Sequence, residues 1–136
     1  MRNLENKNII VTGASGGIGN AIIKKLYEAG ANILASGTRK EKLEELKKNF
    51  ENIKILKFDV SQSDKIEEFI ENATKDLGGN LDGIVNNAGI TQDNLAIRMS
   101  LDEWQKVINI NLTSTFLMSK FAIKKMLKNK SGKKIG

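Results

Sequence analysis

Three groups of residues in this chain have the types and spacing to do chemistry. The first is Thr12-Gly13-Ala14-Ser15-Gly16-Gly17-Ile18-Gly19, which follows the short apolar run Ile9-Ile10-Val11 and opens a helical pattern. Glycines at such a turn permit positive φ angles and let backbone N–H groups approach a ligand without Cβ clashes. The start of the helix adds unpaired donors and partial positive charge, a combination that attracts a pyrophosphate. A tight turn using glycine only for packing is the competing reading. Position inside a βαβ unit of about 30 residues favours binding of a dinucleotide.

The second group lies at the end of the next strand, Ser36-Gly37-Thr38-Arg39-Lys40, with no acid before Glu41. An acid at this place would accept from the ribose 2′-hydroxyl of NAD. Hydroxyls, a glycine backbone and cations suit a 2′-phosphate instead, so NADP(H) is the expected cofactor. Thr38 also begins a Thr-x-x-Glu capping box with Glu41. Arg39 could equally be a solvated first-turn side chain. Further along, Asp59 and Val60 end the third strand, where a carboxylate could accept from an adenine amine or simply start a turn. The third group, Asn86-Asn87-Ala88-Gly89, ends the fourth strand beside the topological switch point, where small residues leave room for a ribose and nicotinamide. Taken alone it would be an Asn/Gly turn.

An alternation of strand and helix must position these groups. Strands are predicted at Asn8 to Val11, at Ile33-Leu34-Ala35, over Ile53 to Phe58 and over Leu81 to Val85. Between them, Ile18, Ala21, Ile22, Leu26 and Ala29 recur at helical spacing before Gly30. Leu43, Leu46 and Phe50 mark a second helix, and Ile66, Phe69, Ile70, Ala73 and Leu77 a third, closed by Gly78 and Gly79. A second capping box, Ser100 to Glu103, precedes a long helix from about Asp102 to about Lys128, with Val107, Asn111, Ser114, Met118 and Phe121 on one face. The expected fold class is α/β, a Rossmann-type doubly wound parallel sheet that stops after about four βα units. Residues 1–136 are expected to form one NADP(H)-binding domain, incomplete at its C-terminal end.

Composition narrows the function classes. The chain has no Cys and no His, which excludes disulfides and zinc sites built on those ligands. The polar start, Met1 to Asn8, lacks a signal-peptide core, and no apolar run approaches the ~20 residues of a membrane helix. A cytoplasmic protein without a membrane partner is expected. The net charge of +6 is uneven: Lys120, Lys124, Lys125, Lys128, Lys130, Lys133 and Lys134 are seven of the 22 basic residues, leaving 15 against 16 acids. Cations at a helix end suit its dipole. No aromatic platform accompanies them, so nucleic acid is not an expected partner.

The three motifs together, Thr12-Gly13-x-x-x-Gly17-Ile18-Gly19, Asn86-Asn87-Ala88-Gly89 and Asn111 in a long helix, resemble the short-chain dehydrogenases/reductases over essentially the whole chain. The stretch Asn87-Ala88-Gly89-Ile90-Thr91-x-Asp93-Asn94-Leu95, with Arg98-Met99, Glu103-Trp104 and Asn111-Leu112, looks most like the bacterial members that use NADPH to reduce a 3-oxoacyl group on acyl carrier protein in fatty-acid synthesis. The resemblance implies that Gly13, Ala14, Ser15, Gly16, Gly17, Ile18 and Gly19 surround the pyrophosphate. It implies Thr38 and Arg39 by the 2′-phosphate, Asp59 and Val60 by the adenine, and Asn87, Ala88 and Gly89 by the nicotinamide ribose. Asn111 would be catalytic, holding a water in the proton relay. Relatives often carry a basic residue where this chain has Gly16, a departure that shifts weight onto Arg39.

The family also needs a substrate-holding Ser and a Tyr-x-x-x-Lys pair, whose lysine lowers the phenol pKa so that it donates near neutral pH. The one tyrosine here, Tyr27, is followed four residues on by Ala31 and belongs to the first helix. The chain alone is therefore expected to be inactive, the front half of a reductase. A non-catalytic NADP(H)-binding module, or a partner subunit of a full-length reductase, is the alternative. The resemblance further implies an oligomer through the long last helix, with Phe116, Leu117 and Phe121 exposed in its absence. It leaves Lys128 and Lys130 as docking residues for acyl carrier protein.

Overall fold

The computed structural model describes residues 4–87 and 117–127. Its elements run β1 (Asn8–Val11), α1 (Gly17–Glu28), β2 (Asn32–Gly37), α2 (Lys40–Asn49), β3 (Lys54–Lys57), a 3-10 turn (Ser63–Lys65), α3 (Ile66–Asp76) and β4 (Gly83–Val85). Residues 117–127 are helical and are called α4. The strands form one parallel sheet in the order β3-β2-β1-β4. This is the first half of a doubly wound sheet, with the chain crossing from β3 past β2 and β1 to reach β4. The expected fold class is thus the observed one.

Parallel strands covered on both faces are apolar at successive positions, and here each residue chooses its layer. Ile9 and Val11 of β1 and Ile33 and Ala35 of β2 point toward α1 and α2, where they meet Ile23, Leu43 and Leu46. Ile10 and Leu34 point the other way, onto Ile66, Phe69, Ile70 and Ala73 of α3 and Met118, Ala122 and Met126 of α4. The two-residue period of a strand produces this division. At the amino ends of the strands, Asn8 is buried and fully engaged. Its N–H donates to Asp82 Oδ2 (2.8 Å), its Nδ2 to the Asn80 carbonyl (2.9 Å), and its Oδ1 accepts from Asn32 Nδ2 (3.0 Å).

The rotation of α1 departs from the expected stripe. Ile23, not Ile18 or Ala21, is its fully buried apolar residue, and Ile18 is 72% exposed. The cause is Gly19. A Cβ there would stand 2.5 Å from the Gly13 carbonyl oxygen and 2.7 Å from Ala14 Cα, so only glycine allows the helix to lie against the turn. With Gly19 turned inward, Ile23 one turn on is inward too, and Ile18 faces out.

The capping box at Thr38 does not form. The N-cap of α2 is Arg39, in extended backbone (φ −112°, ψ 106°), with no side-chain cap bond. The β2–β3 ladder continues to Gly37, whose carbonyl accepts from the Phe58 N–H (2.9 Å). The chain needs both Thr38 and Arg39 to leave the sheet before α2 can begin. Leu117 and Phe121 are also not left open. They are half-buried against the α3 layer, and the exposed apolar residues of α4 are Ile123 and Leu127. Helical spacing places Met118, Ala122 and Met126 on the packed stripe, with Leu117 and Phe121 beside it. Tyr27 lies within α1 as expected, edge-on to Phe50 (5.2 Å between ring centroids). The Ser100 capping box and the start of the long helix fall outside the described residues.

Candidate functional site

All four strands are parallel, so their carboxyl ends meet at one edge of the sheet, and the turns that leave them form the candidate site. The glycine turn is tied down from two sides. The buried Thr12 donates its N–H to the Val85 carbonyl (3.0 Å), and its hydroxyl accepts the Asn87 N–H (3.0 Å). Asn87 Nδ2 in turn donates to the Gly13 carbonyl (3.1 Å). On the other side, the Ala14 N–H donates to the Ser36 carbonyl of β2 (2.8 Å). Gly13 sits at φ 65°, the left-handed conformation that turns the chain between these two anchors.

The amino end of α1 is left open toward solvent. Its N-cap, Gly16, has no side chain to accept from the first-turn N–H groups, and its first turn holds no acid. The helix field and its free donors are therefore uncompensated, as an anion site requires. Cβ positions built on Gly16 and Gly17 meet nothing within 4 Å, so these residues leave space rather than fill it. The residues present fit a bound pyrophosphate. A pocket of about 200 Å³ runs from this turn to α2 and is lined by Ala14, Ser15, Gly16, Gly17, Asn20, Lys42, Glu45, Leu46 and Asn49.

The expected 2′-phosphate group is brought only partly together. Thr38 and Arg39 are exposed at the mouth of the site. Ser36 is buried, and among the described residues its Oγ has no hydrogen-bond partner. It stands on the central strand β2, beneath the turn that its carbonyl anchors. Gly37 lets the turn lie close, since a Cβ there would fall 2.8 Å from Ser15 Oγ and 3.3 Å from the Ser15 backbone nitrogen. Asp59 is exposed and starts a turn. Its Oδ1 accepts from the Ser61 N–H (2.9 Å) and hydroxyl (2.7 Å). Val60 is half-buried against the α3 layer. Ala88, Gly89 and Asn111 lie outside the described residues, as do Lys128 and Lys130.

Two contacts of this edge are not legible in the sequence. Asn86 donates through Nδ2 to Ser119 Oγ (3.1 Å), joining the end of β4 to α4 across 33 positions of sequence. Lys42 enters from the second helix because that helix packs beside the glycine turn. Its only sequence cue is helical spacing to Leu46 and Asn49, one and two turns on.

The comparisons with known proteins agree with this geometry. The family model described as short chain dehydrogenase matches residues 7–135. The chain belongs to that family. It is 41% identical over 134 residues to the 3-oxoacyl-[acyl-carrier-protein] reductase FabG of Rickettsia conorii, covering 98% of this chain and 54% of that protein. The reductase of the same name from Vibrio harveyi is 41% identical over 132 residues, covering 96% and 54%. Among solved structures, a short-chain dehydrogenase/reductase from Brucella melitensis superposes with a TM-score of 0.78 at 31% identity, covering 91% of this chain and 53% of that one. The chain thus spans about half the length of the relatives it matches. Among the described residues, no helix is long and apolar enough to cross a membrane.

Proposed function

We propose that this chain is the NADP(H)-binding half of a 3-oxoacyl-[acyl-carrier-protein] reductase. The observation that carries the reading is the open amino end of α1. A glycine turn anchored at Thr12, Gly13 and Ala14 presents uncompensated N–H donors at the switch point of a short-chain dehydrogenase sheet. Two FabG reductases at 41% identity supply the substrate class, a 3-oxoacyl thioester on acyl carrier protein. Bound NADPH supplies the hydride for that carbonyl.

In this reading the turn from Gly13 to Gly19 holds the pyrophosphate through backbone N–H groups. Thr38 and Arg39 meet the 2′-phosphate. Asp59 Oδ1 is committed to Ser61, so its other oxygen is the one to accept from the adenine amine, with Val60 against the ring. Asn87 spends its N–H on Thr12 and its Nδ2 on Gly13, which leaves its carbonyl oxygen for a ribose hydroxyl. Ala88 and Gly89 keep the nicotinamide end open, and Asn111 holds a water for proton transfer. These 136 residues contain no Tyr-x-x-x-Lys to give the alkoxide its proton. Cofactor binding without turnover is the expected behaviour of the chain by itself.

Fluorescence titration of the purified chain with NADPH, and with NADH alongside, tests this. Saturable binding that favours NADPH is expected, and equal affinity for the two would refute the cofactor assignment. Oxidation of NADPH by the chain with a 3-oxoacyl thioester would refute the division of labour.

A second reading, a partner subunit of a full-length reductase or a homo-oligomer through the last helix, is favoured by the open edge of β4 among the described residues and by exposed Ile123 and Leu127. Co-purification with a full-length reductase would support the first form.

A further inference from the structure

Lys42 has a position that helix stability does not explain. It stands in the first turn of α2, where a cation opposes the helix dipole. It is half-buried, and among the described residues its ammonium has no ion-pair partner. A half-buried lysine of this kind packs its stem while its ammonium stays available to meet an anion. What it faces is the glycine turn: Lys42 shares the 200 Å³ pocket with Ser15, Gly16 and Gly17, and Gly16 and Gly17 leave that space unfilled. The acid of the same pocket, Glu45, lies three residues on along the exposed side of α2 and does not pair with it. Arg39, by contrast, is an exposed N-cap residue at the solvent mouth.

We propose that Lys42 is a specificity-determining cation of this site, its ammonium binding the phosphate monoester on the adenosine ribose from the α2 side while the α1 end holds the pyrophosphate. The charge that distinguishes the phosphorylated dinucleotide thus comes from the second helix, into room that the glycine turn leaves. The inference rests on the NADP(H) reading and adds a residue to it.

The test compares wild type, Lys42→Ala, Lys42→Arg and Arg39→Ala, each titrated with NADPH, NADH, 2′,5′-ADP and 5′-AMP. Removing a charged hydrogen-bond partner is expected to weaken NADPH and 2′,5′-ADP by roughly tenfold or more in Lys42→Ala. NADH and 5′-AMP should stay within about twofold, since they lack the group that Lys42 meets. Lys42→Arg should retain most of the affinity for NADPH. Equal weakening of all four ligands would mean that Lys42 only supports the fold and would overturn the proposal. So would an unchanged NADPH affinity in Lys42→Ala with the loss appearing in Arg39→Ala. Wild type without preference for NADPH would remove the cofactor reading and this inference with it, a result distinct from the other two. NMR of the reductively methylated wild-type chain provides a measurement free of any folding defect in a variant. The Lys42 signal should shift with 2′,5′-ADP and not with 5′-AMP, and a signal unmoved by both would overturn the proposal.

Discussion

Gly19 shows how one missing side chain sets the geometry around it. A Cβ on its inward face would stand against backbone atoms of the consecutive residues Gly13 and Ala14, at distances no Cβ tolerates. Neither neighbour is a flexible side chain that could swing away, so Gly19→Ala must push the turn off the helix. A loss of about 1–3 kcal/mol is expected, in the range of overpacked sites, together with loss of NADPH binding. Chemical denaturation followed by circular dichroism, with the cofactor titration repeated on the variant, checks both. Thr12 and Asn87 make the complementary point. Their side chains were legible as part of a motif, but the bonds between them join residues 75 apart in sequence. A motif fixes the residue types, and only the neighbouring strand decides what they bond to.

At the scale of elements, hydrophobic period predicted every strand and helix that the structure describes, and the errors are errors of rotation and capping. Helical spacing puts Ile18, Ala21, Ile22, Leu26 and Ala29 on the α1 stripe; Ile22 and Leu26 do pack against the core, but the contact at Gly19 turns Ile23 inward and Ile18 outward. The Thr-x-x-Glu pattern places the cap of α2 at Thr38, whereas the ladder to β3 holds the chain one residue longer. Both outcomes were decided by a partner element, which local spacing does not report. The same dependence makes α4 testable. Met118 is buried against the α3 layer, and Met118→Ala should cost about 2–5 kcal/mol if the helix is a working part of the core. A urea midpoint equal to that of wild type would mean that α4 adds little to the fold. Lys125 also pairs with Glu71 of α3, but a pair whose carboxylate is exposed to solvent adds at most about 1 kcal/mol.

For the whole molecule, the balance of covered and open surface matters most. The two layers close over β1 and β2, while β3 and β4 lie at the edges of the described sheet. β3 begins and ends with exposed lysines, Lys54 and Lys57, which discourage another strand from pairing there. β4 is a three-residue strand without such charges. On the helical surface, Ile123 and Leu127 are 47% and 63% exposed, one turn apart on α4. An apolar pair of this kind favours association. The double variant Ile123→Lys with Leu127→Lys is expected to shift the chain toward monomer in size-exclusion chromatography with light scattering. An unchanged distribution would place any association elsewhere.

The sequence by itself determined the order of strands and helices, the family, and the place of the glycine turn between β1 and α1. These follow from periodicity and from the conformational freedom of glycine, which are properties of neighbouring residues. The tertiary structure decided the surroundings of each candidate. It buried Ser36 beneath the turn, committed one oxygen of Asp59 to Ser61, spent most of Asn87 on holding the turn, and brought Lys42 into the site. Accessibility and hydrogen-bond partners at this edge depend on which strands and helices stand side by side, and that is set by packing across the sheet rather than along the chain.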